Sequence, residues 1–320
     1  MRAFFFLSIV YAGFAAALAY LVEGPGSLSI GAGGGLVAST AKGYAPLALG
    51  AFCISIIAGR LLGRSDMRRC AIRIALAAGG SVLFFPAFST IKRLLPEIVP
   101  FWADPAFAAM DRALHGGLDP WVLTHAIHIP GDVVQMIYLN LWSAPAFLFP
   151  LFAAIDPDRN RAARAMILFV VAWAFLGNLV AVVFMSAGPV FHDRLLGADD
   201  FAALNRAIAA DPLLAAGVGV TQEALWAFYA EGRNALGSGI SAFPSVHVAT
   251  VTAIALYLVD IRRGFMPVAV VLVALFQFLS VYSGWHYAVD GYASVLVLVS
   301  LWVWLRRRHG SVAPKVAQPA

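Results

Sequence analysis

Eight apolar runs, at roughly 3–22, 43–63, 71–90, 133–155, 163–187, 245–262, 265–283 and 286–305, dominate the chain. Each is about 18–25 residues long, the length a helix needs to cross the ~30 Å hydrocarbon layer of a bilayer. No water reaches that layer, so backbone groups must be satisfied within a helix or around a closed barrel. The short apolar–polar alternation of barrel strands is missing, and the spans are therefore predicted to be helices. Composition agrees, since 61% of the 320 residues are hydrophobic and 12% charged, too little polar surface for a water-soluble globule. The expected fold is all-α, a polytopic membrane helix bundle of about eight transmembrane helices.

Arginine sets the orientation. Arg60, Arg64, Arg68, Arg69 and Arg73 crowd the second connection, Arg159, Arg161 and Arg164 the fourth, Arg262 and Arg263 the sixth, and Arg306, Arg307 and Arg308 the C-terminal end. The positive-inside rule makes these alternate connections cytoplasmic and puts segments 23–42, 91–132 and 188–244 outside. Topology thus accounts for the +5 net charge. No Arg/Lys stripe is interleaved with aromatics, so nucleic acid is not an expected partner. Cys53 falls within a span and Cys70 beside a cytoplasmic connection, so neither a disulfide nor a zinc site is expected. Arg2, the apolar stretch and Ala17-Leu18-Ala19 can also be read as a cleavable signal. The stretch exceeds the ~7–15-residue core of such peptides, and it is read as a retained span.

Polar side chains are scarce, which singles out two short boxes, Phe243-Pro244-Ser245-Val246-His247 and Gly284-Trp285-His286-Tyr287-Ala288-Val289-Asp290. In the topology above both lie at the outer face. Residues four apart on a helix share a side, so Asp290 can accept a hydrogen bond from one nitrogen of His286. The other nitrogen then keeps its lone pair outward, as a nucleophile does. A merely anchoring His–Asp pair is the plain alternative, but ionisable residues in spans are costly and usually functional. Ser245 after Pro244 can cap the next helix, whose free N–H groups form an anion site. His247, in that first turn, can give its proton to the departing oxygen of a phosphate ester. The constellation predicts phosphoryl transfer at a membrane surface.

The wording Pro244-Ser245-Val246-His247, followed some forty residues later by His286-Tyr287-Ala288-Val289-Asp290, resembles the second and third signature boxes of the type 2 phosphatidic acid phosphatase superfamily. The resemblance covers roughly the last six spans and implies a six-helix catalytic core. It implies a metal-independent route through a phosphohistidine on His286, with His247 as general acid, Asp290 as orienting partner and Ser245 as a donor to the phosphate oxygens. Two positions depart from the usual boxes. Ser280 stands where an arginine precedes the histidine, and Val246 stands where glycine is usual. Both departures look like the inositol phosphorylceramide synthase branch, with its His–His–Asp triad. The domains expected are 1–70, two N-terminal helices with the Gly-rich loop; 71–309, the catalytic membrane domain; and 310–320, a disordered tail.

A phosphoryl group in transfer needs cations beside its oxygens. No Lys or Arg stands between Arg263 and Arg306, so the candidates are Arg194 and, at the outer end of the third span, Lys92 or Arg93. His115, His125, His128 and His192 are expected at the interface. Segment 91–132, with Trp102 and Trp121, is expected to lie along the headgroups and to cap the site or line the lipid entrance. Segment 188–244 carries amphipathic runs near 199–215 and 221–233. The glycines of 31–35 lack the Lys-Ser/Thr ending of a phosphate-binding loop.

The expected activity is a cofactor-free phosphotransferase of the bacterial inner membrane, its site facing the periplasm or exterior. A phospholipid is the donor, and a lipid or alcohol the acceptor. Hydrolysis of a phosphomonoester, such as phosphatidic acid or a polyprenyl phosphate, would use the same residues. A proton-relaying transporter would need matched repeats with interrupted spans, which are missing.

Overall fold

A computed structural model describes residues 1–25, 67–231 and 239–308, together with 38, 41, 42, 45, 46, 49, 50 and 53. The expected second span at 43–63 and the Gly-rich loop lie largely outside the described residues, and the tail at 310–320 wholly so. Among the described residues the regular elements are helices and no strand occurs. They are α1 (Arg2–Glu23), α2 (Met67–Ile98), α3 (Asp104–Leu114), α4 (Pro120–His125), α5 (Gly131–Ile155), α6 (Arg159–Val183), α7 (Pro189–Leu196), α8 (Ala202–Ala210), α9 (Val220–Ala230), α10 (Val246–Ile261), α11 (Met266–Tyr282) and α12 (Ala288–Arg308).

The helices α1, α2, α5, α6, α11 and α12 are long and apolar enough to cross a membrane, and α10 is a shorter apolar helix. They fall on seven of the eight apolar runs, and the chain is an integral membrane protein. Pro86 and Pro96 sit inside α2, Pro145 and Pro150 inside α5; buried neighbours make such prolines tolerable in spans. Asp158 starts α6 by accepting the N–H groups of Asn160 and Arg161, as an N-cap should. Wide π turns interrupt α5 at Met136–Leu141 and α6 at Val171–Val180, an irregularity frequent beside functional sites. One core cluster is aromatic, with Phe84, Phe85, Phe149, Phe169 and Trp173 packed together; Phe85 meets Trp173 edge-on at 5.0 Å, a favourable quadrupole geometry.

The bundle has two chemically different ends. At one, Arg73 donates to the carbonyls of Ala153 (2.9 Å) and Asp156 (2.8 Å), and Arg161 pairs with Asp156 at 2.6 Å. Asp260, at the C-terminal end of α10, takes Arg164 at 2.9 Å and Arg306 at 3.7 Å. These are arginines that define the inner side in the sequence. The opposite end, where α10 and α12 begin, carries both histidine boxes.

Segment 91–132, expected along the headgroups, keeps Met110, Leu114, Leu118 and Ile127 exposed. Helix α3 packs inward, burying Asp104, Phe107, Ala108 and Asp111, while Trp102 is 53% exposed. Its amphipathic face is turned to the protein because two of the residues on it are acids with backbone partners.

Candidate active site

His286 stands in the turn between α11 and α12, two residues before α12 begins. Its Nδ1 donates to Asp290 Oδ2 at 3.1 Å, and the carboxylate is fully buried. The same Oδ2 accepts the Tyr287 N–H at 3.1 Å. The pair is therefore closed across the first turn of α12 instead of along the flank of a helix. The His286 N–H donates to the Ser280 carbonyl at 3.3 Å. Gly188 (φ 96°) brings a second turn against this one, where a Cβ would meet the Trp285 carbonyl oxygen at 2.4 Å. No L-residue side chain fits there.

His247 is the second residue of α10. Its ring lies between two aromatic faces, 4.7 Å from Tyr138 and 4.0 Å from Trp142, both carried by the π-turn region of α5. His247 and His286 face each other with centroids 6.3 Å apart. Val246, in the place of the usual box glycine, is accommodated by α6: a Cβ on Gly177 would meet Val246 Cγ2 at 2.7 Å.

A cavity of about 560 Å³ opens onto the two rings, with Phe88, Trp142, Leu225, Phe228 and Trp285 among its apolar walls. Lys92 lines it, the basic residue besides the histidines on that wall among the described residues. Its Nζ donates to the Ser241 carbonyl at 3.1 Å, poised beside the histidines. Helix α9, which supplies Leu225 and Phe228, forms the wall that the sequence assigns to segment 91–132.

Not every candidate comes to the cavity. Arg194 makes a bidentate ion pair with Glu223 and lies over Trp226 at 5.5 Å, away from the cavity lining. Arg93 is held by Glu23 at 2.7 Å and Glu97 at 3.6 Å. Ser245 is buried, and its hydroxyl accepts the Val248 N–H at 3.3 Å, capping α10. Its backbone joins α10 and α12, with Ser245 N–H on the Asp290 carbonyl at 3.2 Å and Ser294 Oγ on the Ser245 carbonyl at 3.0 Å. Ser280, in the usual arginine place, turns its hydroxyl onto the Gln277 carbonyl at 2.8 Å. His192, expected at the interface, is buried against Asp193 at 3.2 Å.

Two acids behind the box escape a sequence reading. Asp111 accepts the N–H groups of Ala288 (2.7 Å) and Val289 (3.0 Å). Asp104 accepts those of Ala187 (2.9 Å) and Gly188 (2.9 Å) and the Tyr287 hydroxyl (3.1 Å). Burial pushes both carboxyls above their ordinary range, and the backbone N–H groups pull them back down. The available signal was their spacing: 104, 107, 108 and 111 make one helical face. Among the described residues no three His, Cys, Asp or Glu side chains converge as a metal site.

A family model for the PAP2 superfamily matches residues 105–304, more than half of the chain. The match runs from α3 to α12 and takes in His247, His286, Asp290 and Asp111, while Lys92 and Asp104 precede it. Comparison with curated proteins and with solved structures found no match.

Proposed function

The chain belongs to the PAP2 superfamily, a group of phosphatases and phosphotransferases, and within that chemistry we propose that it moves a phosphoryl headgroup from a phospholipid to a lipid or alcohol acceptor. The observation carrying this reading is the His286–Asp290 pair at the wall of an apolar cavity in which Lys92 is the accompanying basic side chain. A phosphodiester bears one negative charge, whereas a phosphomonoester bears about 1.5 to 2 at pH 7. One lysine, with Ser280 in place of the usual arginine, suits the diester.

In the first step the free nitrogen of His286 attacks phosphorus, and the bond to the glyceride oxygen breaks. His247, protonated, gives its proton to that oxygen. Positive charge grows on the His286 ring, 3.1 Å from the Asp290 carboxylate, which stabilises it without taking the proton. In the second step the acceptor hydroxyl attacks phosphorus, the N–P bond breaks and His247 takes the hydroxyl proton. The headgroup phosphate leaves esterified to the acceptor. Apolar walls from Leu225, Phe228 and Trp285 exclude the water that would otherwise hydrolyse the intermediate. The arginine-rich end of the bundle faces the cytoplasm in this reading, and the cavity faces the periplasm.

The test is purified protein with headgroup-labelled phosphatidylinositol, and separately with labelled phosphatidic acid, each with and without ceramide or diacylglycerol. Transfer gives a new labelled lipid only when an acceptor is supplied. Release of water-soluble phosphate alone, whatever the acceptor, makes the chain a phosphatase.

A further inference from the structure

The free N–H groups that open a helix normally seek an anion, and in a phosphate-handling site the substrate is the obvious one. Helix α12 is different. Its first N–H groups, at Ala288 and Val289, are taken by Asp111, a carboxylate 177 residues away in sequence and 3% exposed. One residue earlier, the Tyr287 hydroxyl is held by Asp104, 2% exposed. The Tyr287 N–H goes to the same Asp290 oxygen that meets His286. Residues 287–290 are thereby fixed by two acids on one face of α3, neither of which lines the cavity.

We propose that Asp104 and Asp111 are positioning residues for the His286–Asp290 pair: from α3 they clamp the backbone that aims the imidazole at phosphorus. The substrate phosphate then has no place at the start of α12 and depends on Lys92 and the two histidines. The proposal rests on His286 as nucleophile.

An amide at position 111 offers one acceptor oxygen to two N–H groups and turns its own N–H toward the other. Asp111→Asn therefore loosens the 287–290 turn while the volume stays constant. The same holds for Asp104→Asn, where one oxygen and one amide must serve two N–H groups and a hydroxyl. Both variants are compared with wild type in two measurements on the full chain in detergent. One is turnover of headgroup-labelled phosphatidylinositol with ceramide, resolved into kcat and KM. The other is backbone hydrogen exchange resolved by peptide.

The expected result is a fall in kcat of at least tenfold with KM within twofold, and faster exchange confined to residues 284–291 while α10 keeps its protection. Arg112→Gln, next to Asp111 with its guanidinium paired to Asp119 and Asp200, leaves both readouts unchanged. Wild-type kcat in folded Asp111→Asn and Asp104→Asn overturns the proposal. So does exchange accelerated equally in α10, which would make the acids merely structural. If one variant does not fold, the other decides by the same outcomes. If wild type turns over no lipid phosphate ester, the proposed function has failed, and the exchange result decides alone: unchanged protection at 284–291 overturns the clamp.

Discussion

Replacing Asp290 by asparagine separates charge from shape at the centre of the site. The His286 Nδ1–H and the Tyr287 N–H both point at Oδ2, so an amide must present its oxygen there. The tautomer is retained and only the charge is lost. Two unit charges about 4 Å apart interact by roughly 4 kcal/mol at an effective dielectric near 20. Each 1.36 kcal/mol of barrier is a factor of about ten, so the phosphorylation rate falls about 10³-fold. Stability changes little: Oδ1 has no hydrogen-bond partner already, and the substitution removes one of several buried negative charges near Asp104 and Asp111. The assay is rapid-quench formation of labelled enzyme from headgroup-labelled phosphatidylinositol, with the melting temperature as control. A folded Asp290→Asn protein phosphorylated at more than a tenth of the wild-type rate would refute the charge argument.

Lys92→Gln removes a charge-assisted contact worth about 1.5–3 kcal/mol, and efficiency on the donor falls by about 10- to 150-fold, whereas Arg194→Gln, which breaks the pair with Glu223 and the contact over Trp226, stays within twofold. Leu225→Ala combined with Phe228→Ala opens the α9 wall to water, and product analysis then shows a higher ratio of released to transferred phosphate; Trp102→Ala with Trp121→Ala, which alters no cavity-lining residue, leaves that ratio unchanged. In a background lacking Cys53 and Cys70, Asp199→Cys reacts with a membrane-impermeant thiol reagent on intact cells and Asp158→Cys does not. Both positions are exposed, so reversed labelling would invert the topology.

The spans were legible because a bilayer imposes length and apolarity on any helix that crosses it, and α1, α2, α5, α6, α10, α11 and α12 lie where the apolar runs do. His286 and Asp290 were legible because their relation is local, four residues apart. What escaped is non-local. Arg194 is captured by Glu223, 29 residues on, and nothing in its own segment announces that. Asp111 meets N–H groups 177 and 178 residues away, and Asp104 N–H groups 83 and 84 residues away. Their spacing shows an amphipathic face but not the partner that covers it. The aromatic faces around His247 depend on a π turn in α5, which no hydrophobic period reveals. Ser245 was legible as a cap, since Ser after Pro at a helix start is a local signal, but its burial behind α12 was not.

Phosphoryl transfer through His286 requires a covalent phosphoryl group on its ring, and that group can be trapped. Wild-type protein, with excess chelator present, is mixed with headgroup-labelled phosphatidylinositol without acceptor, quenched, and digested for peptide mass spectrometry. An acid-labile, base-stable label is expected on the peptide carrying His286, absent in His286→Ala and chased off by ceramide. A label that survives His286→Ala, or that forms only after a divalent metal is restored, would contradict this route.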